Sequence, residues 1–396
     1  MRIAFTEEQE RLRAELRDYF AHLMTVERRE ALRTGQGEYG EGEVYKEITR
    51  TLGKDGWLAI GWPEEFGGQH RPVLDQLIFT DEAAIAGVPV PFLTVNTVAP
   101  AIMAGGTAEQ KARFLPGIAA GETHFSIGYS EPEAGTDLAS LRTRAVRDGD
   151  EYVITGQKMW TSLIEYADYI WLAARTDPEA ARHRGLSILV VPTDAEGFSW
   201  TKVHTVAGPG TSATYYDGVR VPADAVVGEL HAGWKLMTDQ LNHERVALTS
   251  SAPLRDSLRQ VTEWARETRV PGGARVIDAE WVQIHLARVH VHAEYLKLRN
   301  WRIAWAADAD GADAYSAAAA SATKVFGTEY ATEGYRLLME VLGAAATVRT
   351  GSPGAVLAGR IERLHRSSLI LTFGGGTNEI QRDIIAGTAL RLPVTR

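Results

Sequence analysis

"GYSEPEAGTDLASLRT", residues 128–143, leads a short apolar stretch into a turn built on Pro132 and Gly135. Ser130, Thr136 and the nearby backbone N–H groups can satisfy polar atoms of a ligand, and glycine lets the backbone approach one closely. Taken alone, a Ser-Glu-Pro turn followed by Gly-Thr-Asp is more often a capped connection than a binding loop. What flanks it decides how it should be read.

On the N-terminal side, residues 1–120 carry apolar residues at helical spacing between Gly and Pro breaks, as in "TEEQERLRAELRDYFAHLM" and "EQKARFLPGIAAG". Thr6 followed by Gln9 has the form of a capping box. From 121 to 230 the texture changes to short β-branched and aromatic runs divided by turns, among them "EYVITGQKMWTS", "DYIWLAART" and "LSILVVPT", with Asp148-Gly149 as one turn. That pattern predicts an antiparallel β domain, a barrel or sandwich. From 231 to 396 the helical period returns in long runs, including 233–267, 279–308 and 355–373. A four-helix-type bundle of up to five helices is expected, packed also against another subunit. The fold class predicted is therefore mainly α with a central β domain.

The bulk properties narrow the function. A chain of 396 residues exceeds one hydrophobic core, and its 45% hydrophobic and 23% charged residues are ordinary for a globular protein. The net charge of -9 argues against a nucleic-acid binder. The absence of cysteine excludes disulfides, thiolate catalysis and Cys-based zinc sites. The N-terminus lacks a signal peptide's apolar core and no run is long enough to span a membrane, so a cytoplasmic enzyme is expected. His285, His290 and His292 invite a metal reading, but His290 and His292 face different sides of a helix with no acidic cluster beside them, and no metal site is expected.

A second motif, "GQKMWTSLIEYADY" (156–169), sets Trp160 ahead of Thr161 and Ser162 on a predicted strand. An aromatic face beside hydroxyl donors suits a flavin ring, although a core tryptophan fits the same pattern. A third, "FGGGTNEIQRDII" (373–385), sets three glycines before a short amphipathic run. In this order, on a helix-sheet-helix chain, "SEPEAGTD", "WTS" and "GGTNEIQ" resemble the Thr-Glu-Pro-x-Ala-Gly-Ser-Asp, Trp-x-Thr and Gly-Thr-x-Glu-Ile-Gln motifs of the acyl-CoA dehydrogenase family. "GWPEEFGG" (61–68) and "GWKLM" (233–237) are similar to that family as well, so the resemblance covers essentially the whole chain.

The resemblance implies FAD as cofactor and an acyl-CoA as substrate, oxidised to a trans-2-enoyl-CoA, with electrons passed to an electron-transfer flavoprotein or similar acceptor. It implies that Tyr129, Ser130 and Thr136 line the flavin, that Trp160 packs against its ring and that Ser162 approaches N5. Thr377 and Glu379 would bind FAD from the C-terminal motif, and Gly343 from a segment near the adenine side. The carboxylate that many members carry just before Gly-Thr is replaced here by Gly375, which cannot abstract a proton. The family's second solution puts that carboxylate on a bundle helix before an arginine, and "LNHERVAL" offers Glu244 with Arg245 beside the substrate. Gly375 would keep a backbone N–H for the thioester oxygen.

Two departures bear on assembly. The family's Gln-x-x-Gly-Gly segment is "EVLGAA" here, with Glu340 and Ala344 at changed positions, and an Arg-x-x-Phe-Gly segment is not recognisable in 267–281. They imply an oligomer in which only some sites hold FAD. The small residues near 374–376, with the base on a helix, resemble actinobacterial enzymes acting on bulky esters such as steroid side chains, so both a homotetramer and an α2β2 heterotetramer are open. An oxidase and a catalytically silent structural subunit are the rival readings.

Overall fold

The computed structural model describes residues 3–34, 42–208, 210–238, 240, 249–310 and 317–393. Glu244 and Arg245 lie outside the described residues. Thr6 caps α1 (Glu7–Leu23) as its sequence predicts, with Gln9 N–H donating to Thr6 Oγ1 at 3.2 Å and Thr6 N–H donating to Gln9 Oε1 at 3.0 Å. Helices α2 (Val26–Thr34), α3 (Gly42–Lys54), α4 (Val73–Ala86), α5 (Ala99–Gly105) and α6 (Ala108–Ala119) follow, and Thr107 with Gln110 repeats the capping box on α6. Their apolar faces, including Leu16, Phe20, Ile48, Leu52 and Ile78, form one core with residues of the sheet.

The sheet comprises β1 (Phe125–Gly128), β2 (Arg144–Asp148), β3 (Glu151–Thr161), β4 (Tyr169–Arg175), β5 (Leu186–Pro192), β6 (Phe198–Val203), β7 (Thr211–Pro222) and β8 (Val226–Val227). Its order is β6-β7-β3-β2-β4-β5-β8, with β1 beside β4. Most neighbours are antiparallel, as the hairpin signals predict, but β1 runs parallel to β4 and one residue pair joins β2 to β4 in parallel. A parallel neighbour needs a crossover, and the loop 129–143 together with the β2–β3 hairpin supplies it. The apolar run of β4 fits this central place. Trp171 and Ala173 pack into the core shared with the N-terminal helices, while Ile170, Leu172 and Ala174 face a second core with Ile154, Val219 and Val221.

The C-terminal part comprises α7 (233–238), α8 (Ala252–Glu267), α9 (Glu280–Asp310), α10 (Ala317–Leu342), α11 (Arg360–Ser368) and α12 (Asn378–Thr388). Two of the long runs are not single helices. The run 233–267 leaves helical geometry at 249–251, ahead of Pro253 in the first turn of α8, where a missing N–H is tolerated. The run 355–373 is kinked before α11 by Leu357 and Ala358, at φ 48° and 55°. Leu254, Val261, Val282, Val289, Leu338 and Val341 build the bundle core.

Candidate active site

A break in β3 creates the first half of the site. Its pairing with β7 shifts register between Lys158 and Thr161, and inside that irregularity Trp160 adopts φ 64°. A bulge bends a strand and re-aims a side chain. Here Lys158 and Thr161 are completely buried while Trp160 is 56% exposed. A bulky residue held at positive φ costs about 1–3 kcal/mol, so the surroundings must impose this geometry.

The loop after β1 supplies that constraint. Met159 N–H donates to the Ser130 carbonyl at 2.8 Å, laying the loop along the bulge. Lys158 Nζ donates to the Tyr129 carbonyl at 3.0 Å and to Glu131 Oε1 at 2.9 Å. Glu131 also accepts the backbone N–H groups of Arg142 and Thr143, at 2.7 and 2.8 Å, which closes the loop on itself. Burial pushes the Lys158 ammonium down to about 8, against the pull of Glu131. Burial would push Glu131 up, but Lys158 and the loop donors outweigh it and hold the carboxyl below its usual range.

Tyr129 is buried beneath the loop. Its hydroxyl donates to Gln240 Oε1, and Trp171 Nε1 reaches both the Tyr129 hydroxyl and Gln240 Oε1 at 3.0 Å. Gln240 is thus tied to the sheet. Before α8, Asn300 Nδ2 donates to the Thr249 carbonyl at 2.9 Å, and Ser250 Oγ donates to Asp81 Oδ1 at 2.6 Å. Ser162 is half-buried, and its carbonyl accepts from Ser126 Oγ at 2.8 Å. Thr136 is exposed at the loop tip, next to Gly135, around which a Cβ would meet only open space.

The second half is the triglycine turn. Gly375 and Gly376 take φ 65° and 85°, a region glycine enters without strain. Thr377 caps α12, its Oγ1 accepting Ile380 N–H at 3.3 Å, and Glu379 stands exposed in the first turn. Beneath the turn, the completely buried Lys324 of α10 donates to Asn378 Oδ1 at 2.7 Å and to the Gly376 carbonyl at 2.9 Å.

The structure therefore brings Tyr129, Ser130, Trp160 and Ser162 together, and separately Gly375, Thr377 and Glu379. Among the described residues no hydrogen bond joins the two groups. Gly343 belongs to neither. It follows the end of α10 at φ 67°, eighteen residues past Lys324 by Leu342, a helical rise of roughly 27 Å from the triglycine side. Glu340 nearby accepts from His285 Nε2 at 2.7 Å and pairs with Arg336. His292 stacks on Tyr330.

The pattern is that of a flavin-dependent dehydrogenase of thioesters. The profile of the acyl-CoA dehydrogenase N-terminal domain matches residues 6–122, that of the middle domain 126–219 and that of the C-terminal domain 231–390, and the chain belongs to the acyl-CoA dehydrogenase family of oxidoreductases. It is 68% identical to acyl-CoA dehydrogenase FadE26 of Mycobacterium tuberculosis and 45% identical to FadE29 of the same organism, over 99% of each chain in both cases. Among solved structures it is similar to a chain of the ChsE4-ChsE5 complex of M. tuberculosis, at 66% identity, and to one of the Tcur3481-Tcur3483 steroid acyl-CoA dehydrogenase, at 50%. Both superpose with a TM-score of 0.93 over the full length of each chain. No helix among the described residues is long and apolar enough to cross a membrane.

Sequence reasoning passed over Lys158, Glu131, Gln240, Lys324 and Gln381. The signal for Lys324 was present: it falls on the helix face of Ala320, Gly327 and Thr328, all buried small residues. A lone charge on such a face has to be neutralised or bonded internally.

Proposed function

We propose that the chain oxidises the Cα–Cβ bond of a bulky acyl-CoA, of the steroid side-chain class, to a trans-2-enoyl-CoA, working as one half of a two-chain assembly with FAD. The residues present fit that cofactor. Trp160 offers an exposed indole face beside a rigid loop, Gly135 leaves room for close approach, and Gly375 and Gly376 carry backbone N–H groups without an acceptor among the described residues. Tyr129, Ser130, Thr136, Trp160 and Ser162 would hold the flavin ring, and Thr377 and Glu379 the rest of the cofactor. When bound, FAD supplies the acceptor for the hydride that leaves the β-carbon.

Glu244 takes the α-proton, and Arg245 sits beside the substrate. The support is chemical and positional. A carboxylate is required for this proton, Gly375 has none, and Glu244 lies four residues after Gln240, which is locked to the flavin-side Tyr129. The strained display of Trp160 is the observation that carries the flavin reading, since more than half of that residue stays open to solvent. Gly343 would act at the adenine side of a neighbouring subunit's cofactor, because it stands too far along α10 to join the turn of its own chain.

Assembly is supported by α9. Trp281, Ile284, Val291, Tyr295, Leu298 and Trp305 are all exposed and recur at heptad spacing along it, a seam suited to a partner helix. The similar ChsE4-ChsE5 and Tcur3481-Tcur3483 structures each contain two different chains, which favours a related but distinct partner. The electron acceptor is an electron-transfer flavoprotein or similar carrier. A second reading, a silent subunit completing a partner's site, is favoured by Glu340 and Ala344 in place of the family's Gln and Gly.

Expressing the chain alone and with candidate partners, then measuring bound FAD and its bleaching by steroid-side-chain and linear acyl-CoA esters, tests the proposal. Bleaching by the bulky esters that is lost in Trp160→Ala supports it. A flavin-containing assembly whose bleaching is unchanged by substitutions in this chain supports the silent subunit instead.

A further inference from the structure

The triglycine turn is gripped from inside by three carbonyl contacts. Lys324 Nζ donates to the Gly376 carbonyl at 2.9 Å, to the Thr372 carbonyl at 3.3 Å and to Asn378 Oδ1 at 2.7 Å. Gln381, also completely buried, donates from Nε2 to the Gly375 carbonyl at 3.0 Å. Asn378 is fixed in turn by Thr328, whose hydroxyl accepts from Asn378 Nδ2 at 3.1 Å. Across a planar trans peptide the N–H points opposite to the preceding carbonyl. Turning the Gly375 and Gly376 carbonyls inward therefore turns the N–H groups of Gly376 and Thr377 outward. Neither N–H has an acceptor among the described residues.

We propose that Lys324 is a positioning residue: with Gln381 it aims the Gly376 and Thr377 N–H groups at an oxygen of the bound reactants. The oxygen is either the thioester carbonyl or one on the flavin cofactor. The proposal rests on the dehydrogenase reading and deepens it. A buried ammonium is an apt clamp. It satisfies several carbonyls at once without bulk, and it holds them in place as the glycines alone, with their wide conformational freedom, would not.

The test uses the assembled protein and two non-reacting CoA ligands, a thioester analogue and the matching thioether that lacks the carbonyl. In Lys324→Met the thioester-to-thioether affinity ratio is expected to fall roughly tenfold, the weight of one well-made hydrogen bond. Gln381→Met is expected to lower it about threefold, and it carries the test if Lys324→Met does not assemble. A lowered ratio identifies the thioester carbonyl, and a constant ratio with weakened FAD retention identifies the flavin oxygen. Ratio and FAD retention both unchanged in Lys324→Met, or in Gln381→Met if only that variant assembles, overturn the proposal. A wild-type assembly that binds neither ligand and no FAD overturns the dehydrogenase reading and the proposal with it.

Discussion

Glu131 and Lys158 meet at 2.9 Å, with the ammonium wholly out of solvent, so a single ion pair ties the loop of Tyr129 and Ser130 to the strand of Trp160. Removing one partner of such a pair strands a buried charge, at a typical cost of about 3–5 kcal/mol. Glu131→Gln should therefore destabilise the assembled protein by about 3 kcal/mol in urea unfolding. Adding Lys158→Met should restore at least half of that, because the stranded charge is gone. A double-mutant cycle reads the coupling.

Trp160 separates backbone strain from ligand contact. At φ 64° a glycine is relaxed where alanine is not, so Trp160→Gly should be more stable than Trp160→Ala by about 1 kcal/mol. Both should lose FAD on gel filtration. Equal stability of the two variants would show that the bulge does not impose this backbone.

Asp81 predicts a pH dependence. Burial raises its carboxyl to about 6, against the pull of Ser250 and Arg255 and with Glu82 adding to the rise. Between its ordinary 3.8 and about 6 the folded state therefore binds the proton that the unfolded state has released. This group's contribution to stability accordingly falls as pH rises from 3.8 to 6 and stays low above it. Asp81→Asn, which keeps an acceptor for Ser250, should stabilise the protein above pH 7 by at most about 3 kcal/mol. The gain should shrink toward pH 4.5, as melting temperatures across that range would show.

Much of this fold could be read from the sequence because its signals are local and periodic. The capping box at Thr6 and Gln9 forms, and the change from helical spacing to short β-branched and aromatic runs marks the sheet. What could not be read depends on contacts distant in sequence. The parallel pairing of β1 with β4 is set by how a loop and hairpin cross, and the left-handed Leu357 and Ala358 have no glycine to announce them. The exposure of Trp160 follows from a register shift against β7 that its own strand does not announce. The burial of Lys158 shows only in the packing, whereas that of Lys324 had a signal in the small residues of its helix face.

The central claim is that Glu244, and not the triglycine turn, removes the proton. Rapid-mixing measurement of flavin reduction by a steroid-side-chain acyl-CoA, for wild type and Glu244→Gln, tests it most directly. The account predicts a loss of about 10²–10⁴ in the reduction rate, with affinity for the thioester analogue retained. Reduction of Glu244→Gln at the wild-type rate would contradict it.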